Sequence, residues 1–158
     1  MKKILIALDY NKSAQKIAET GYALAKSMGA EVTLVHVIAD AAYYSSLDYS
    51  PVMGYTGFSS PDMVPLLNMA ELQSASKNFL EQSKKHLGDD AIDTVVTEGD
   101  CAEAILDLSN EIKADIIVLG THSRRGLEKI LMGSISEKIL HHSKIPLFII
   151  PTKEEVRE

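Results

Sequence analysis

Asp115-Ile116-Ile117-Val118-Leu119-Gly120-Thr121-His122-Ser123-Arg124-Arg125-Gly126-Leu127-Glu128-Lys129-Ile130-Leu131-Met132-Gly133-Ser134-Ile135-Ser136 is the stretch from which the fold can be read. Its opening, Asp115 to Leu119, reads as a strand, its Ile116 to Leu119 a short continuous apolar run of the kind buried on both faces. A polar loop punctuated by glycines follows. Ser134 then opens a helix with Ile135 and Ile139 on its apolar face. Strand, loop and helix make up most of a βαβ unit, and the unit recurs in both directions along the chain.

Toward the carboxyl end, Ile145 to Ile150 reads as a fifth strand, stopped by Pro151. Toward the amino end, Asp100 caps a helix, with Glu103 three residues on as a capping box and Cys101, Ala104, Ile105, Leu108 and Ile112 as its face. Ile92 to Thr97 is a third strand. A helix carrying Leu72, Ala75, Phe79 and Leu80 precedes it and stops near Gly88. Val32 to Val37 is a second strand. Before it, Ala14, Ile17, Ala18, Gly21, Ala25 and Met28 fall at spacings of three and four, with Asn11 as N-cap and Gly29 as stop. Ile4 to Leu8 is the first strand, with Asp9 at its carboxyl end. The order is βαβαβαβαβ. Strict alternation implies a doubly wound α/β domain, a parallel sheet with helices on both faces. Alternation leaves the strand order open. Ligands of such sheets bind beyond the carboxyl ends of the strands, where the winding reverses, so the loops after strands one and four are the places to look.

A length of 158 residues fits one domain, and 46% hydrophobic with 24% charged residues is an ordinary globular balance. A single cysteine, Cys101, excludes an intramolecular disulfide framework. No apolar run approaches a membrane span, and the apolar run at the start ends at Asp9, too early for a signal peptide. The expected location is the cytoplasm. A formal charge of −6 with no long basic stripe argues against nucleic acid as a partner. The most basic short window is Arg124, Arg125 and Lys129. The segment from Ala39 to Pro65 breaks the rhythm, with Tyr43, Tyr44, Tyr49, Tyr55 and Phe58 among Ser, Gly and Pro. It reads equally as a surface insertion or as a lid leaving the carboxyl end of strand two. Residues 153–158 form a charged tail.

The loop after strand four has the makings of a phosphate site. Helix N-termini present unpaired N–H groups and partial positive charge. Gly120, Gly126 and Gly133 would let backbone approach an anion, and the hydroxyls of Ser134 and Ser136 could donate to it. Each feature also has a plain reading. Gly133 could serve a turn, Ser134 with Glu137 could be a capping box, and the arginines could be a solvated face. Other sites are disfavoured. No lysine follows Gly133, so there is no Walker A loop, and no Gly-x-Gly-x-x-Gly follows strand one. His141 and His142 point apart on a helix, which disfavours zinc, and no nucleophile elbow is present.

Gly120-Thr121-His122-Ser123, nine residues, then Gly133-Ser134 resembles the signature of the ATP-binding branch of the universal stress protein family: Gly, two residues, Gly, nine residues, Gly, then Ser or Thr. Ile4 to Asp9, Leu34-Val35-His36-Val37, Gly99-Asp100 and Ile145-Pro146-Leu147 extend the likeness over nearly the whole chain. The family's second glycine is Ser123 here, a small residue whose hydroxyl could itself meet a phosphate. The resemblance implies a strand order of 3-2-1-4-5 and a single nucleotide-binding domain over 1–152. It places Asp9 near the ribose or a metal, and the main chain of Val37 against the adenine. Leu119 and Gly120 would line the ribose and first phosphate. Ser123, Gly133, Ser134 and Ile135 would surround the phosphates, and Ala7 and Arg124 complete the set. ATP is the implied ligand, with ADP or AMP as variants and Mg2+ as companion. Family members commonly dimerise through the last strand, which implies a homodimer here. A regulatory module with slow hydrolysis at most, acting on an unidentified protein partner, is the leading expectation. A weak ATPase using Asp9 and a divalent metal, and a nucleotide-free dimeric adaptor, are the alternatives.

Overall fold

In the computed structural model of the protein, residues 1–9, 13–38, 69–121 and 134–152 are described. Five strands, β1 (Lys3–Ala7), β2 (Glu31–Ile38), β3 (Asp93–Glu98), β4 (Ile116–Gly120) and β5 (Leu147–Ile150), alternate with four helices. The helices are α1 (Ala14–Met28), α2 (Met69–Leu87), α3 (Cys101–Glu111) and α4 (Ser134–His142). The strands form one parallel sheet in the order β3-β2-β1-β4-β5, as the resemblance implied. The winding reverses between β1 and β4, the two strands from which the chain sets off in opposite directions across the sheet.

Alternating side chains feed two cores. Ile4, Ile6, Leu8, Val32, Leu34 and Val118 meet Ala14, Ile17, Ala18 and Ala25 of α1 and Leu80 of α2 on one face. Leu5, Val35, Val37, Ile117 and Leu119 meet Ala102 and Ile105 of α3 and Ile139 of α4 on the other. Helix α1 lies close on the sheet. A Cβ on Gly21 would stand 2.9 Å from Ile6 Cδ1 and 3.1 Å from Val118 Cγ1. The helix closes on Gly29 at φ 63°, a left-handed turn that glycine adopts without steric cost.

The structure shifts three expected details. The N-cap position of α1 is Ser13, whose carbonyl accepts from Ile17 N–H at 3.0 Å. Asn11, expected there, lies outside the described residues, and the buried face begins at Ala14, too late for a cap at 11. Met28 ends α1 with 38% exposure instead of closing its apolar face, because the chain is already turning at Gly29 toward β2. In α3 the expected residues Cys101, Ala104, Ile105, Leu108 and Ile112 all pack on the core, and the structure adds Ala102 and Ser109 as the most buried positions beside Ile105. Asp100 caps α3 as expected, its carboxylate accepting from Glu103 N–H at 3.0 Å. No helix among the described residues is long and apolar enough to cross a membrane.

Candidate functional site

The carboxyl edge of the sheet is where the expected site residues gather. Registered pairing between β1 and β4 ends at Ile6–Val118. Pairing of β1 with β2 continues to Ala7–Val35, and that of β4 with β5 to Gly120–Ile150. The two central strands therefore part at their carboxyl ends, with Ala7 to Asp9 on one side and Leu119 to Thr121 on the other.

Each wall of this opening is tied outward, away from the other. On the β1 side, Leu8 N–H donates to Val35 O at 2.9 Å. Leu8 O accepts from Nδ1 of His36, also at 2.9 Å. On the β4 side, Thr121 N–H donates to Ile150 O at 2.9 Å, and Thr152 N–H donates to Thr121 Oγ1 at 3.0 Å. Asp9, just beyond Leu8, is exposed.

Helix α4 is fastened across the β4 end. Ser136 is 5% exposed, and its hydroxyl donates to Gly120 O at 2.9 Å. This corrects the expectation that Ser136 offers its hydroxyl to a phosphate. The group is already spent on a strand-end carbonyl, one of the backbone acceptors that folding must satisfy. Ser134 is exposed at the first turn and Ile135 is half-buried, and the Ser136 bond sets this first turn of α4 beside Gly120.

Gly120 itself has a packing reason that its sequence context did not suggest. Its backbone is not left-handed. A Cβ there would overlap Ile17 Cδ1 and stand 2.8 Å from Thr152 Cγ2. The missing side chain makes room for α1, a packing reason that stands beside the expected role of its main chain at the ligand. Val37 and Leu119 are buried at 7% and 3%, with side chains in the core, so only their main chains can serve a ligand. Ala7 is half-buried at the end of β1. Ser123, Arg124 and Gly133 lie outside the described residues, as do 39–65 and 153–158.

His36 was visible in the sequence but given no role there. Its ring is 3% exposed and stands edge-on to Phe79, centroids 5.8 Å apart. Burial lowers its pKa, opposed by the bond to Leu8 and the charge of Asp9. A carbonyl only accepts, so Nδ1 carries the hydrogen. The signal was a polar side chain in the inward series Val32, Leu34, His36, Ile38. At the N-terminus of α3, Lys138 of α4 reaches Asp100 at 3.1 Å and Glu103 at 3.8 Å. The Glu103 N–H first, and Lys138 with it, hold the Asp100 carboxyl below its ordinary range.

The protein is a doubly wound α/β domain whose β1 and β4 part at their carboxyl ends, with the first turn of α4 fastened beside the opening, the place where sheets of this class receive ligands. The sequence model of the universal stress protein family matches residues 1–151, and the chain belongs to that family. Universal stress protein MJ0531 of Methanocaldococcus jannaschii is 30% identical over 97% of this chain and 85% of its own length. Stress response protein NhaX of Bacillus subtilis is 30% identical over 94% of this chain and 96% of its own. The solved structure of protein MJ0577 superposes with a TM-score of 0.71 at 26% identity, covering 98% of each chain. A universal stress protein solved in complex with cAMP superposes with a TM-score of 0.60 at 18% identity, covering 96% of this chain and 98% of its own.

Proposed function

We propose that the protein is a regulatory module that binds an adenine nucleotide, ATP foremost, in the opening between the carboxyl ends of β1 and β4. The observation that carries this reading is the parting of the strands beyond Ile6–Val118, with the α4 N-terminus held there by Ser136. In this reading the Val37 main chain meets the base and the Leu119 and Gly120 main chains meet the ribose. The first-turn N–H groups at Ser134 and Ile135 meet phosphate oxygens, joined by Ser123, Arg124 and Gly133. Asp9 offers a carboxylate oxygen of the kind that Mg2+ prefers, beside the phosphates. A solved universal stress protein of this fold holds cAMP, which supports an adenine nucleotide as the ligand class. The apolar strand Leu147–Ile150 at the sheet edge suits pairing with a second copy, and the proposed form is a cytoplasmic homodimer.

Small molecules released from the purified, denatured protein should include an adenine nucleotide by mass spectrometry. In calorimetry with ATP and Mg2+, Gly133→Val should abolish binding. Ser134→Ala should weaken it about tenfold to a hundredfold, the loss of one hydrogen bond to a charged group. Wild-type affinity in a folded Gly133→Val variant would overturn the placement of the phosphates.

A further inference from the structure

We propose that His36 is a positioning residue of this site, acting through Leu8 to hold the β1 wall of the opening and so to set where Asp9 stands. The proposal rests on the nucleotide reading for its ligand, but its geometry is independent of it. Leu8 is the first residue beyond β1, just past the registered pairing with β2. Its N–H still reaches Val35 O, while among the described residues no strand N–H donates to its carbonyl, and His36 Nδ1 supplies the donor. Both polar groups of Leu8 are thus committed to β2. This draws the Leu8 backbone to the β2 side of the crevice and sets the point from which the next residue, Asp9, stands at its rim.

The ring is well placed to fix rather than to follow. It is buried between β2 and α2, and Phe79 stands against it edge-on, so its orientation is held from the helix side. The Leu8 side chain, 3% exposed, is anchored in the core beneath α1. A rigid donor and a rigid acceptor make a bond that sets direction, which is how a residue that never touches a ligand shapes the site that does.

The variants His36→Leu and His36→Asn separate this role from simple core packing. Leucine fills the space without a donor. The asparagine side-chain amide places an N–H at the same distance along the side chain as Nδ1, so it keeps the donor and loses bulk. Calorimetry with ATP and Mg2+ should show His36→Leu weakened by about threefold to tenfold, the worth of one neutral hydrogen bond, and His36→Asn within about twofold of wild type. Amide hydrogen exchange at Leu8 should speed up in His36→Leu and not in His36→Asn, while Ile4 to Ile6 are unchanged in both. Equal affinity of His36→Leu and wild type, or equal losses in the two variants, would overturn the proposal. If wild-type protein binds no ATP, the nucleotide reading fails on its own. Leu8 exchange then decides this one: faster exchange in His36→Leu alone supports the clasp, and equal rates overturn it. Should His36→Leu not fold, nitrogen-15 shifts of the wild-type imidazole give the answer. The Nδ1–H tautomer is expected, and an Nε2–H tautomer, which cannot donate to Leu8, would overturn the proposal.

Discussion

Adding one methyl group at Gly120 tests how the site is seated on the fold. In Gly120→Ala the new Cβ overlaps Ile17 Cδ1, stands 2.8 Å from Thr152 Cγ2 and 3.0 Å from Ile17 Cγ1. Neither neighbour can yield freely. Ile17 is 4% exposed in the core under α1, and Thr152 is held by its N–H bond to Thr121 Oγ1. Overpacking of this kind costs about 1–3 kcal/mol. Shortening the obstructing side chain should recover part of it. Ile17→Val alone costs about 0.5–1.5 kcal/mol, since it removes a buried methyl from a packed core. It also removes the overlapping Cδ1, so the double variant should be more stable than the sum of the two losses by about 1 kcal/mol, within the range of contacting pairs. Full recovery is not expected, because Thr152 Cγ2 remains. Urea unfolding followed by circular dichroism at one protein concentration gives all four stabilities, provided the slope of the transition stays constant. If Gly120→Ala is as stable as wild type, or if the two changes add without coupling, α1 does not press on Gly120 as described.

Other perturbations read separate parts of the carboxyl edge. Ser136→Ala removes the donor to the half-buried Gly120 carbonyl and should cost about 0.5–1.5 kcal/mol in urea unfolding, the net worth of one hydrogen bond. Asp100→Ala should cost about 1 kcal/mol at neutral pH through the lost cap on α3, and Asp100→Asn much less. Because the folded protein holds the Asp100 carboxyl low, its contribution is present above the ordinary carboxylate range and fades as pH falls through the folded value. The Asp100→Ala stability deficit should therefore shrink in acid. His36 behaves in the same sense for a different reason: burial lowers its pKa, so the unfolded chain takes up a proton more readily. Its share of stability is intact above about pH 6.5, the ordinary histidine value, and declines below it. Thermal melts from about pH 7.5 down to 5 should show a limb that His36→Asn removes.

The architecture was legible because each apolar run is short, each helical face recurs at three and four, and glycine, serine or aspartate punctuates the joins. Asp100 and Gly29 play their expected capping roles because both act within a few residues of themselves. What was not legible depends on neighbours distant in the chain. Nothing near Gly120 reveals that Ile17 and Thr152 occupy the space beside it, so the glycine reads as a ligand feature. Ser136 reads as a phosphate donor because the strand-end carbonyl it meets appears only once β4 and α4 are packed together. His36 looks like one more residue of a buried strand until Leu8 O is found beside it. The limits of a helix face escape the sequence for the same reason, as at Met28, which is left exposed, and at Ala102 and Ser109, which are buried beside the expected α3 face.

A titration of the isotope-labelled protein with ATP and Mg2+, followed by amide chemical shifts, tests the central claim most directly. Saturable shifts are predicted at Asp9, at Val37 and Ile38, at Gly120 and Thr121, and at Ser134 and Ile135, all at the carboxyl edge of the sheet. Lys3, Glu31, Asp93 and Asp115, at the opposite edge, should stay in place. The absence of any saturable shift, or shifts confined to that opposite edge, would contradict the account.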